Sequence, residues 1–271
     1  MTRPLILVTN DDGIHSPGLH AAIQALDDLG DLLIIAPTQQ QSGMARSLPM
    51  NFDGRIQPIQ MTHQGRKYPA YHIQGSPAQC VLYGTLDCAR RRPNLVVSGI
   101  NYGENLGNST QVSGTVGAAL QGGDMGIPSL AISLETKKEY HYDHGQDVDW
   151  SAASYWLHFF AQRALATQPW PQDLAVLKID IPATATPETA WRLATQSTLD
   201  YYISIPSGRK TPQEPIIIDY EARVDENRLE KNSDVYIFAV ERQIPVVPLS
   251  VNLTARIAFA DFASHLAGHH E

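Results

Sequence analysis

Four short apolar runs, each leading into a polar turn and then a helical stripe, constrain this chain more than any other feature. They are Leu5-Ile6-Leu7-Val8-Thr9, Leu32-Leu33-Ile34-Ile35-Ala36, Pro93-Asn94-Leu95-Val96-Val97-Ser98 and the stretch from Ser129 to Leu134. Their apolar centres lack the polar alternation of a strand with one wet face, so they predict strands covered on both faces. Between the first two, Leu19, Ile23 and Leu26 share one stripe of a helix over 17–29, with Gly30 as its expected C-cap. Ser76-Pro77-Ala78-Gln79 announces another helix: Ser76 as N-cap, Pro77 at the first helical position and Gln79 completing a capping box. A third helix is expected from Ser113 to Met125, and a fourth within 150–166 ahead of a strand over 174–181. Strands and helices in alternation predict a doubly wound, mainly parallel α/β sheet, a Rossmann-like three-layer core over 1–182.

From about residue 183 the pattern changes. Ile216-Ile217-Ile218, Val235 to Val240 and Val246 to Leu249 are β-rich, and a charged stretch over 221–234 separates the first two. The reading is a β-rich extension over 183–271: hairpins projecting as an arm, with the last part returning to the core. Such an arm suits a homodimer or homotetramer contact.

A net charge of −8 argues against a nucleic-acid-binding surface. It also means that an anionic substrate needs local help from a cation or from helix N-termini. No apolar run reaches the roughly 20 residues of a membrane span. Cys80 and Cys88 are too few for a secreted disulfide framework and read as buried thiols. The expected compartment is the cytoplasm.

Ligands of open α/β sheets bind beyond the carboxyl ends of the strands. The segments that follow the strands here are Asn10-Asp11-Asp12-Gly13, Thr38-Gln39-Gln40-Gln41-Ser42-Gly43, and the run from Ser98 to Asn108, all rich in Gly, Ser, Asn or Gln. Two adjacent carboxylates point to one site only where a strand ends, and Gly13 supplies that turn. Charges about 4 Å apart repel by roughly 4 kcal/mol at an effective dielectric of 20. A hard divalent cation, Mg²⁺, Mn²⁺ or Ca²⁺, would relieve this. Ser113-Gly114-Thr115 opens a helix with free N–H groups, either a phosphate cradle or an ordinary capped helix whose glycines allow close packing.

The histidines show no zinc-site spacing. His15 lies near the acidic pair, His141 and His144 belong to a polar loop, and His269 and His270 to a terminal tail. No Gly-x-Ser-x-Gly elbow or Walker-type loop occurs. A phosphatase of the haloacid-dehalogenase type needs two Asp residues at i and i+2, whereas the pairs here are Asn10/Asp12 and Asp11/Gly13.

Four ordered motifs carry a resemblance: "ILVTNDDGIHSPGL", "IIAPTQQQSGMARSL", "GSPAQCVLYG" and "PNLVVSGINYGENLGNSTQVSGTVGAALQGGDMGIPSLAIS". Over roughly residues 5–134 the chain resembles the SurE family of stationary-phase survival nucleotidases. The resemblance implies a metal-dependent phosphatase acting on nucleoside 5′- or 3′-monophosphates, with short polyphosphate a further substrate of some members. It carries one divalent cation per subunit onto Asp11, Asp12, Ser42 and Asn101. Water is the expected nucleophile, with Asp11 or Asp12 accepting its proton and Asp11 the favoured of the two. Asn10, Gly43, Asn105, Ser113, Gly114 and Thr115 are the expected phosphate and substrate contacts. The chain departs from the family pattern at Gln39–Gln41, where relatives often carry charge, and at Val112, commonly His or an aromatic. A non-catalytic nucleotide- or metal-binding stress-response module is the rival reading.

Overall fold

The structure, a computed structural model, describes residues 2–63, 65–145, 147–167 and 169–267. His269 and His270 lie outside the described residues. Six parallel strands form the centre of the sheet: β1 (Leu5–Thr9), β2 (Asp31–Pro37), β4 (Arg66–Ile73), β5 (Leu95–Tyr102), β6 (Ser129–Leu134) and β7 (Val176–Ile181). β3 (Gln57–His63) pairs antiparallel with β4 at one end. β11 (Ile244–Leu249) runs antiparallel to β7 at the other, with β8 (Trp191–Leu193) parallel outside it. The order is β3-β4-β2-β1-β5-β6-β7-β11-β8.

β1 shows why these strands lack alternation. Ile6 and Val8 face the cluster containing Leu19, Ile23 and Leu26 of α1 (Pro17–Leu26) and Trp156, Leu157 and Phe160 of α5 (Ser151–Ala166). Leu5 and Leu7 face the opposite cluster with Cys80 and Val81 of α2 (Pro77–Tyr83) and Ala118 of α3 (Gly114–Asp124). Helices on both faces of a mainly parallel sheet give the three-layer α/β fold expected. The capping box also forms: the Gln79 amide donates to Ser76 Oγ at 3.1 Å and the Ser76 amide to Gln79 Oε1 at 2.9 Å.

Gly30 departs from expectation. α1 ends at Leu26 with Asp27 as C-cap, because the chain must turn at once into β2, where the Asp31 amide donates to the Pro4 carbonyl at 2.8 Å. Gly30 serves that crossing, since a Cβ there would lie 2.5 Å from the Pro4 oxygen.

The C-terminal region departs further. Ile216–Ile218 is irregular, and the projecting hairpin pairs β9 (Tyr202–Ile205) with β10 (Asp219–Ala222). The apolar run Val235–Val240 is a helical segment with a π turn over Tyr236–Val240. Ser233 and Asp234 cap it, Asp234 Oδ1 accepting from the Val235 amide at 2.9 Å and Ser233 Oγ from the Tyr236 amide at 3.3 Å. A short buried apolar run fits helix or strand equally by periodicity, and here the capping residues decide. β8 and β11 belong to the main sheet, so the hairpin is an excursion between neighbouring strands. After β11, α6 (Phe259–Ala267) is exposed along its length.

Candidate active site

The sheet order reverses at β1 and β5: from β1 the chain first winds outward through β2 and β4, then returns to β5 on the other side. A crevice outside the strand ends forms at such a switch point. There Asn10 is wholly buried and clamps the turn, its Nδ2 donating to the Gly13 carbonyl at 3.1 Å while its Oδ1 accepts the Gly13 amide at 3.2 Å. Gly13 adopts φ +103°, a conformation that favours glycine. Asn10 is therefore a turn residue and does not line the cleft.

Asp11 leans onto the start of α3. Thr115 Oγ1 donates to its Oδ1 at 2.5 Å, and the Thr115 amide also approaches the carboxylate. Gly114 permits this contact, because a Cβ there would lie 2.7 Å from Asp11 Oδ2. Burial, reinforced by the neighbouring Asp12 charge, pushes the Asp11 carboxyl up to about 7. Thr115 and Gly114 thus position Asp11, and the helix N-terminus that looked like a phosphate cradle is partly occupied by the protein's own carboxylate. Ser113 Oγ caps α3 by accepting the Val116 amide at 3.1 Å.

Asp12 is shut behind other groups. His144 Nε2 lies 3.3 Å from its Oδ1, and the Tyr102 amide reaches its Oδ2 at 3.4 Å. Burial raises its carboxyl despite the opposing pull of His144, and the same contact raises the His144 imidazole. Asn101 donates its side-chain amide to the Tyr102 and Gly103 carbonyls at 3.2 and 2.7 Å, leaving its Oδ1 as the end suited to a cation. Ser42 is exposed on the facing loop. Gln40 Nε2 donates to Ser42 Oγ at 3.0 Å and to the His141 carbonyl at 2.7 Å, so the glutamine loop ties two rims together.

These groups border a cleft of about 790 Å³. Asp11, Ser42, Gly43, Asn101, Asn105 and Ser113 are among its lining residues. Among the described residues no group of three or more His, Cys, Asp or Glu is arranged to hold a metal ion. A cation at this edge would therefore draw on hydroxyl and amide oxygens besides the Asp pair, an all-oxygen set that suits hard cations.

Asn105 is held by a buried ion triad. Its amide donates to Asp180 Oδ1 at 2.7 Å and its carbonyl accepts from Lys178 Nζ at 2.7 Å. Lys178 also pairs with Asp180 at 2.6 Å and Asp234 at 3.1 Å, all three wholly buried. Asp234 reaches onward to the Gly107 amide at 3.1 Å.

The same cleft is lined by residues that sequence reasoning missed. Glu104 is 6% exposed, and burial lifts its carboxyl to about 7. Tyr202 from β9 donates its hydroxyl to Glu104 Oε1. His141, on the short helix α4 (Tyr140–Asp143), lies parallel to Tyr220 of β10 at 6.2 Å, with Nδ1 2.7 Å from the Tyr220 hydroxyl. Burial holds its imidazole down to about 4. His141 and His144 are thus site residues, where the sequence suggested a bystander loop. His15 instead lines a separate cavity with His20, His63 and His158. A carboxylate between two site asparagines was a usable signal for Glu104; no local pattern marked Tyr202 or Tyr220.

The family model described as "Survival protein SurE" matches residues 6–202. A protein of Thermococcus gammatolerans called "5'-nucleotidase SurE" is 32% identical, over 97% of this chain and 96% of its own length. Its namesake from Thermococcus kodakarensis is 33% identical, over 94% and 96%. The crystal structure of the SurE protein from Aquifex aeolicus superposes with a TM-score of 0.73 at 26% identity, covering 98% of this chain and all of that one. With its acidic strand end, its Gly- and Asn-rich third loop and most of its length matched, this chain belongs to the SurE family.

Proposed function

We propose that the chain is a 5′-nucleotidase that hydrolyses nucleoside monophosphates with one divalent cation, Mg²⁺ or Mn²⁺, held by Asp11, Asp12, Ser42 and Asn101. The observation that carries this reading is the buried Asp11–Asp12 pair at the sheet's switch point: burial raises both carboxyls, leaving a strongly disfavoured double negative charge for a cation to offset. The names of the relatives support the substrate class. The cation supplies Lewis-acid neutralisation of phosphoryl charge. Asp11 takes the proton of the attacking water, a role favoured by its place on the cleft lining, whereas the Asp12 oxygens also serve the Tyr102 amide and His144. Gly43, Asn105 and Ser113 contact the phosphate, and 3′-monophosphates and short polyphosphate fall within the same site's range.

The core over 1–182 carries the chemistry and the extension over 183–271 carries self-association into a homodimer or homotetramer. In support, α6 leaves Phe259, Phe262 and Leu266 uncovered. No helix among the described residues is long and apolar enough to cross a membrane, and cytoplasm is the compartment this reading assigns. The test is phosphate release from a panel of nucleoside monophosphates with Mg²⁺, Mn²⁺ or EDTA, for the wild type and Asp11→Asn. Metal-dependent release that Asp11→Asn abolishes is expected. Near-full activity in that variant overturns the assignment, and binding without turnover favours the non-catalytic module.

A further inference from the structure

Glu104 has a buried oxygen without a hydrogen-bond partner among the described residues. Its Oε1 accepts the Tyr202 hydroxyl, and Tyr201 lies beside the same carboxylate, yet Oε2 is buried with no partner at hydrogen-bond geometry among the described residues. Unsatisfied buried carboxylate oxygens are rare and costly, so one on the lining of a cleft calls for a ligand donor. Its place in the chain limits what that donor can be. Glu104 lies in the chain between Asn101 and Asn105, the lining residues assigned above to the cation and the phosphate. The group it meets is therefore the one bonded directly to the phosphate.

The wall beyond Glu104 is aromatic. Tyr202 and Tyr220 meet edge to face at 5.1 Å, and His141 meets Tyr202 in the same way at 6.2 Å. Flat apolar faces joined by hydrogen-bonded edges suit a planar ring system. Phosphate, hydroxyl-bearing sugar and base then follow one another from the acidic pair to the tyrosines.

We propose that Glu104 is a specificity-determining residue whose Oε2 accepts a hydrogen bond from a ribose hydroxyl of the substrate, so that the enzyme selects ribonucleotides over deoxyribonucleotides. This rests on the nucleotidase reading above. Carboxylates read ribose hydroxyls in the same way in dinucleotide sites of related sheet topology. A site built to bond a hydroxyl rejects the analogue that lacks it, because its own polar group is left unpaired. Burial also lifts the Glu104 carboxyl, a mark of how little water reaches it.

The experiment compares kcat/KM for adenosine 5′-monophosphate and its 2′-deoxy and 3′-deoxy analogues under one metal condition. In the wild type the ribonucleotide is favoured over at least one analogue by about tenfold. Glu104→Met, similar in length but unable to accept, brings that ratio within about twofold, chiefly by raising KM for the ribonucleotide. Glu104→Leu, which also lacks an acceptor, provides the same ratio test should the methionine variant not fold. Equal hydrolysis of all three by the wild type, or a ratio that survives in the variant, overturns the assignment. Hydrolysis of none of the three by the wild type overturns the nucleotidase reading itself.

Discussion

The two walls of the cleft are built by different means. Asp11, Asn101 and Asn105 follow or end strands at the centre of a nine-stranded sheet, and each is fixed by buried hydrogen bonds to the turn, to α3 or to the Lys178 triad. His141, Tyr202 and Tyr220 come from a short helix in a connecting loop and a two-stranded hairpin, held to one another mainly by ring contacts and single hydrogen bonds. The first wall has its geometry imposed by the fold; the second is assembled from parts that the fold leaves adjustable. Chemistry needs positions held to a fraction of an ångström, whereas recognition of a substrate tolerates repacking.

Substitutions on the two sides should break in different ways. Asp11→Asn on the imposed wall lowers kcat by about 10³-fold or more with the fold retained, measured by steady-state phosphate release and circular dichroism. Lys178→Met strands Asp180 and Asp234 as unpaired buried charges and costs about 3–5 kcal/mol in urea unfolding. A Lys178 variant as stable as the wild type would show that the triad does not hold this wall.

Glu104 joins the two sides and gives a pH signature. Its carboxyl titrates near 4.5 when unfolded and is raised to about 7 by burial, so the folded state binds more protons between those values. Stability therefore falls as pH rises from about 4.5 to 7, by on the order of 2–3 kcal/mol. Relative to Glu104→Gln, the wild type should lose several degrees of Tm across that window. Parallel Tm profiles would mean that Glu104 is not strained by burial. On the adjustable wall, Tyr220→Ala raises KM for a nucleotide by about tenfold and leaves kcat within about threefold. A pure kcat loss there would place the hairpin among the catalytic parts.

The same contrast separates what could be read from the sequence. Buried strands, the Ser76 capping box and the strand-end loops rest on local rules, and they led to the α/β sheet and to Asp11, Ser42 and Asn101 on one cleft. Local rules failed where a side chain is claimed by another part of the protein. The Asn10 side chain spends itself on its own turn at Gly13, and Thr115 turns to Asp11, a residue 104 positions away. Val235–Val240 forms a helical segment because Ser233 and Asp234 cap it, and Asp234 is itself fixed by Lys178. Tyr202 and Tyr220 carry no pattern of their own, since a tyrosine in a hairpin looks the same whether it faces solvent or a cleft.

The hairpin leaves the sheet after β8 and returns at β11, two strands that lie side by side, with Trp191 opposite Ile244 and Leu193 opposite Val246. Both ends of the excursion are thus stitched to one edge of the sheet. Closing such a loop becomes harder only logarithmically with length, about 0.6 kcal/mol for each doubling. Insertions, deletions or replacement at the tip of the hairpin, between β9 and β10, leave the register of the edge, the Asp234 contact with Lys178 and the acidic pair untouched. The arm behaves as an interchangeable panel on a fixed chassis, so a lineage can revise which substrates it accepts without reworking how it cleaves them.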